Sequence, residues 1–214
     1  MAMSLTVHEV NAVSPGRQAS RTRMNVLALF AGVGGIEQGL EHAGHHAVEA
    51  YEIDEAAKAV LRHRFPLVSV HDSILSLKGI DPAIDLVTAG FPCVDLSQAG
   101  PMVGLDGNSS GLIRHVLQVV ASSEVKNLLL ENVPFMLRLG KGAAMKEITS
   151  ALEEAGFRWA YRTIYARSFG VPQRRPRVIL FASRERDPRS VMFRDLAAEP
   201  RNERKPVVGT NTIG

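Results

Sequence analysis

Asn25-Val26-Leu27-Ala28-Leu29-Phe30-Ala31-Gly32-Val33-Gly34-Gly35-Ile36 is an apolar run that breaks into a glycine turn, after which Ile36, Leu40 and Ala43 recur at helical spacing. The stretch reads as strand, turn, helix. Outward from it the rhythm repeats: strand His46–Glu52, helix Glu55–Phe65 stopped by Pro66, short strand Val68–Val70, and buried-type strand Ile84–Gly90. Then come helix Gly111–Ser122, strand Asn127–Glu131, helix Ala143–Ala155 and two closing strands, Phe157–Ala166 and Arg177–Ala182. Strands alternating with helices predict an α/β fold, a mostly parallel sheet with helices on both faces.

In such a sheet ligands bind beyond the carboxyl ends of the strands, and the chemically suggestive residues lie there. Gly32–Gly35 follow the first strand, Glu52 ends the second, Asp72 follows the third, Pro92-Cys93 follow the fourth, and Glu131-Asn132 end the fifth. A glycine turn lets backbone approach a ligand, and an acid at the next strand end can accept from ribose hydroxyls. The dinucleotide fingerprint is met at Gly32 and Gly34 but has Glu37 at its third position, which disfavours a dinucleotide. S-adenosylmethionine has no phosphate, and its sulfonium tolerates acidic neighbours; Asp72 could accept from its adenine amino group. Each residue taken alone is weak evidence, since a strand-end glycine turn is as often structural and a lone Glu or Asp after a strand is usually a cap or surface group.

The chain has 214 residues, 45% of them hydrophobic, enough for one substantial core. It contains one cysteine, so no internal disulfide forms, and no Cys/His spacing resembles a metal site. No apolar run approaches the roughly 20 residues that span a bilayer, and the N-terminal segment has no signal-peptide core. A soluble cytoplasmic protein is expected. Residues 1–157 carry 12 Lys/Arg against 17 Asp/Glu and residues 158–214 carry 13 against 5, so the two parts stand at −5 and +8. A polyanion would be drawn to the C-terminal third, although an Arg-rich surface can equally be merely solvated.

A lone cysteine is most often a small buried hydrophobe. Cys93, however, follows a proline just past a buried strand and precedes a glycine-rich, weakly apolar segment, Ser97–Gly111, of the kind that closes over substrates. Six segments, LALFAGVGGI, YEID, HDSI, AGFPCVDLSQAG, LLLENV and SFGVPQRRPRVIL, resemble in order and spacing the motifs of the DNA cytosine-5 methyltransferase family. The resemblance runs from about Asn25 to Ser183. It implies a Rossmann-like S-adenosylmethionine-dependent methyltransferase fold, with Phe30, Gly32, Gly34, Glu52, Ile53 and Asp72 contacting S-adenosylmethionine. It also implies Cys93 as nucleophile, Glu131 at the cytosine edge, Arg175 and Arg177 completing the base pocket, and a cytosine flipped out of double-stranded DNA.

Those residue types suit the chemistry. Carbon 5 of cytosine is a poor nucleophile, and a thiolate added at carbon 6 makes it enamine-like. Charge then builds at N3, where a carboxyl group that donates a proton relieves it, and an arginine can hold both that carboxyl group and the ring oxygen.

The sequence departs from the family at Val94, where glutamine is usual, and at Asp106-Gly107-Asn108-Ser109-Ser110-Gly111, which lacks a customary arginine. The expected organisation is an arm over residues 1–23, a catalytic domain over 24–186 and a tail over 187–214 where a target-recognition domain would begin. That arrangement is compatible with a truncated gene product, a fragment, or one subunit of a split enzyme whose second subunit carries the target-recognition domain. An RNA cytosine-5 methyltransferase, or an inactive remnant that binds S-adenosylmethionine or DNA, are the alternative readings.

Overall fold

The computed structural model describes residues 23–92 and 108–193. Cys93, Val94, Ser97, the Asp106–Gly107 pair, residues 1–22 of the arm and residues 194–214 of the tail lie outside them. Seven strands form one sheet: β1 (Asn25–Leu29), β2 (His46–Tyr51), β3 (Ser69–His71), β4 (Leu86–Ala89), β5 (Asn127–Asn132), β6 (Arg158–Tyr165) and β7 (Pro176–Ser183). Their order is β3-β2-β1-β4-β5-β7-β6. Neighbours pair in parallel except β7, which runs antiparallel to both β5 and β6. The order reverses between β1 and β4, which opens a crevice at their carboxyl ends.

Five helices flank the sheet: α1 (Gly35–His42), α2 (Glu55–Arg64), α3 (Asn108–Ala121), α4 (Ala143–Glu154) and α5 (Pro188–Met192). Local chemistry sets their ends. Asp54 caps α2 by accepting from the Ala57 amide at 2.7 Å, and Arg62, His63 and Arg64 place basic side chains at its carboxyl end. Gly156, at φ 80°, ends α4 in the left-handed conformation.

Successive strand residues face opposite layers. Leu27, Val87, Leu128 and Leu180 pack with Ile113, Val116, Ile148 and Leu152 of α3 and α4 in the larger core. Val26, Leu86 and Phe181 face the other way, with Met192 of α5. Arg184, just past β7, ties the first layer together. Its guanidinium donates to the carbonyls of Val120, Ala121, Ser123, Val125 and Ala155 and lies 4.3 Å over the Phe157 ring. It thus meets the negative ends of α3 and α4 at once. Among the described residues no helix is long and apolar enough to cross a membrane, and no His/Cys/Asp/Glu group could hold a metal ion.

Candidate active site

The turn after β1 is held by backbone strain and by one carboxylate. Phe30 sits at φ 54°, which costs a bulky side chain energy and recurs at ligand sites. The Ala31 amide donates to the Tyr51 carbonyl at 3.1 Å, and the Glu52 amide to the His71 carbonyl at 3.0 Å, so the ends of β1, β2 and β3 are stitched side by side. Glu52 then accepts from the Gly32 amide at 2.7 Å and the Asp54 amide at 2.8 Å. Gly34 faces away from this edge: a Cβ there would stand 2.3 Å from Phe65 Cε2, so its bare backbone lets α1 pack on α2.

Beyond these strand ends lies a cleft of about 390 Å³, walled by Phe30, Tyr51, Ile53, Ile74, Leu75, Pro92 and Leu112, with Glu52, Asp72 and Ser73 as polar points. Ile53 is 76% exposed, an apolar side chain displayed on the rim where a flat ring could cover it. Burial and the Glu49 carboxylate, which accepts from its hydroxyl at 2.9 Å, push the Tyr51 phenol up to about 12, and its ring stacks on His71 at 4.8 Å. The buried Lys58 of α2 bridges Asp72 and Glu55. That hydrogen bond holds the Asp72 carboxyl below its ordinary range. One oxygen of Asp72 takes the lysine, and a carboxylate has acceptor capacity to spare. The slot is mostly apolar, with Glu52, bonded to two amides, and Asp72 as the carboxylate acceptors in its lining.

The second half of the site lies at the ends of β4, β5 and β7. Glu131 of β5 is paired in register with Ile179 of β7, which puts Arg177, two residues along, on its diagonal. Arg177 Nε donates to Glu131 Oε1 at 2.7 Å, both side chains about a quarter exposed. A Cβ on Gly90 would stand 3.4 Å from Glu131 Oε2, so the glycine lets that carboxylate lie against the end of β4. Arg175 is exposed on the segment before β7. Two further buried polar residues, both noted in the sequence but given no role there, have partners on β4 or just beyond it. Asn132, 3% exposed, donates from Nδ2 to the Phe91 carbonyl at 3.0 Å, two residues before Cys93. Glu37, also 3% exposed, accepts from Thr88 Oγ1 at 3.1 Å, while its Oε2 has no hydrogen-bond partner among the described residues. Burial raises its carboxyl. The signal for Asn132 was its place at a strand end; Glu37 gave none beyond breaking the glycine fingerprint.

Comparison with known proteins gives a consistent result. Residues 24–210 match the family described as C-5 cytosine-specific DNA methylase. The chain is 49% identical over 189 residues to Type II methyltransferase M2.BsuMI of Bacillus subtilis (strain 168), covering 86% of this chain and 48% of that protein. To Type II methyltransferase M.MspI of Moraxella sp it is 30% identical over 175 residues, 81% of this chain and 42% of the relative. It spans about half the length of the curated relatives it matches. Among solved structures, the S. pombe Dnmt2 methyltransferase superposes with TM-score 0.65 at 20% identity, covering 85% of this chain and 57% of that one. A putative DNA modification methyltransferase of an E. coli prophage gives TM-score 0.64 at 24% identity, covering 75% and 46%. At such identities the structural likeness speaks for the fold alone.

Proposed function

The chain belongs to the C-5 cytosine-specific DNA methylase family, and on that premise we propose that it is the cofactor-binding and catalytic part of an enzyme that methylates carbon 5 of cytosine in double-stranded DNA. The observation that carries the reading is the adjacency of two halves on one sheet edge. The adenosyl-sized cleft at Glu52 and the Glu131–Arg177 pair open beyond neighbouring strand ends, and Asn132 ties the second to the backbone leading to Cys93.

S-adenosylmethionine, when bound, supplies an electrophilic methyl group on a sulfonium. The chain's residues do the rest. Glu52 accepts from the ribose hydroxyls, Asp72 from the adenine amino group, and Phe30 and Ile53 cover the ring, with Gly32 and Gly34 shaping the turn. The Cys93 thiolate adds to carbon 6 of a flipped cytosine, and Glu131 donates a proton toward N3 as charge builds there. Arg177 orients Glu131, and Arg175 completes the base pocket. With the cofactor bound, carbon 5 would take the methyl group and leave the cofactor as a neutral thioether. Loss of the carbon 5 proton to solvent would re-form the ring double bond, expel the Cys93 thiolate and return the N3 proton to Glu131. Target recognition comes from protein beyond the described residues, in the same polypeptide or a second subunit, and the enzyme acts in the cytoplasm on the methylating side of a restriction-modification pair.

The test is duplex DNA carrying 5-fluorocytosine, incubated with S-adenosylmethionine and the chain together with the remaining portion of a full-length relative. Fluorine cannot leave carbon 5 as a proton does, so the adduct persists and migrates as a protein–DNA species. Cys93→Ala abolishes it; an adduct that forms in the variant overturns the assignment of the nucleophile.

A further inference from the structure

His115 stands one helical turn after Leu112 on α3, so the two side chains share a face. Leu112 lines the adenosyl cleft from one side. The 3-10 turn Ile74–Ser76, with Ser73 before it, lines the same cleft and follows directly on Asp72. His115 Nε2 lies 3.1 Å from the Ile74 carbonyl and 3.0 Å from the Leu77 carbonyl. Both neighbours can only accept, so Nε2 carries a hydrogen and donates to the two together, in the neutral ring or the charged one. The turn is otherwise knit locally, by Ser73 Oγ accepting from the Leu75 amide and by Ser76 Oγ donating to the Ser73 carbonyl. The imidazole joins the turn to the helix that carries Leu112.

We infer that His115 is a positioning residue of the cofactor site, a two-carbonyl clamp that sets the separation between the turn at Ser73–Leu75 and Leu112, and so the fit of the adenosyl group. This inference rests on the cleft being the S-adenosylmethionine site. A slot that grips a flat ring from both sides loses contact steeply when its walls part by a fraction of an ångström. His115 supplies the side-chain hydrogen bonds seen between the turn and α3 among the described residues, and without them the gap becomes adjustable.

The variants separate donation from packing. In His115→Gln the amide nitrogen stands as many bonds from Cα as Nε2 does and carries two hydrogens, one for each carbonyl. In His115→Leu the side chain fills similar space and donates nothing. S-adenosylhomocysteine and, separately, adenosine are titrated calorimetrically into the full chain, well below each variant's melting temperature. His115→Leu is expected to weaken both ligands about tenfold, the worth of the lost hydrogen bonds, while His115→Gln stays within about twofold of wild type. Should His115→Leu fail to fold, His115→Asn, whose amide falls short of the carbonyls, carries the same comparison. Wild-type affinity in His115→Leu, or equal loss in His115→Gln and His115→Leu, overturns the clamp while leaving the cofactor site in place. A wild-type chain that binds neither ligand overturns the cofactor site itself, and the clamp with it.

Discussion

Asn132 and Phe91 are joined by a hydrogen bond of 3.0 Å from a side chain at the end of β5 to a backbone carbonyl beyond the end of β4. The same Asn132 accepts from the Val133 amide at 2.8 Å, so its amide group is used at both ends. It acts on the chain that leads into Cys93 without being a reacting group. Asn132→Ala leaves two backbone groups without their partners, and the expected loss is about 1–3 kcal/mol of stability, read from urea denaturation. The rate of adduct formation with 5-fluorocytosine DNA is expected to fall as well, because misplacing a nucleophile by about 1 Å can cost on the order of 100-fold. An adduct rate equal to wild type would confine Asn132 to stability.

Glu52→Ala removes the acceptor for the Gly32 and Asp54 amides and the group proposed to meet the ribose. S-adenosylhomocysteine binding, followed by calorimetry, is expected to weaken by about 1–3 kcal/mol. Unchanged affinity would take Glu52 out of the site.

Arg177→Ala strips the half-buried Glu131 carboxylate of its 2.7 Å partner, whereas Arg175→Ala changes an exposed side chain. The first is expected to cost about 1.5–3 kcal/mol of folding stability, the worth of a hydrogen bond to a charged group, and the second less than about 0.5 kcal/mol. Equal effects on denaturation midpoints would mean that the Glu131–Arg177 pair contributes nothing measurable.

Glu37 supplies a pH dependence. Because burial raises its carboxyl above the ordinary 4.5, folding favours the protonated form. Its contribution to stability is therefore full below that ordinary value and is lost as pH rises through the raised folded value. Glu37→Gln carries no charge to bury, so its stability advantage over wild type is expected to grow from pH 5 to pH 8, reaching roughly 1–3 kcal/mol. Paired urea titrations across that range check the sign; an advantage that shrinks with pH would contradict it.

Gly34→Ala places a methyl group where Phe65 Cε2 stands 2.3 Å away, at a φ of 82°. Left-handed strain of about 1–2 kcal/mol and overpacking of about 1–3 kcal/mol should both appear in thermal denaturation. Phe65→Leu, by clearing the ring, is expected to restore part of the second contribution and none of the first. A double variant no more stable than Gly34→Ala would show that the ring is not the obstacle.

These residues differ in how plainly the sequence announced them. The apolar run ending in Gly32–Gly35 marked β1 and its turn, and Glu52 and Asp72 were visible because each closes or follows a strand-like run. Every strand and long helix read from periodicity is present, with ends moved by a few residues; α3 begins at Asn108 rather than Gly111. The 3-10 turn at Ile74–Ser76 and the short α5 were not foreseen, since each holds too few residues to show a period. The Glu131–Arg177 pairing depends on a register between strands far apart in the chain, and on β7 running antiparallel, which local spacing does not encode. The hydrogen bonds that the Asn132, His115 and Arg184 side chains donate all end on carbonyl groups, which every residue possesses, so no residue type in the partner segment points to them.

The place of β7 also governs the order in which the molecule can be made. Among the described residues strand β6 has one strand neighbour, β7, and β7 is inserted between it and β5. As the chain leaves the ribosome, β1 to β5 can assemble in sequence, but β6 emerges with nothing to pair with and the free edge of β5 stays open. Both wait for Pro176–Ser183, a few seconds at about 5–20 residues per second. Synthesis halted just before Pro176 would leave a sheet of five joined strands, not six, with the β5 edge and both sides of β6 unpaired and exposed to whatever else is in the cell.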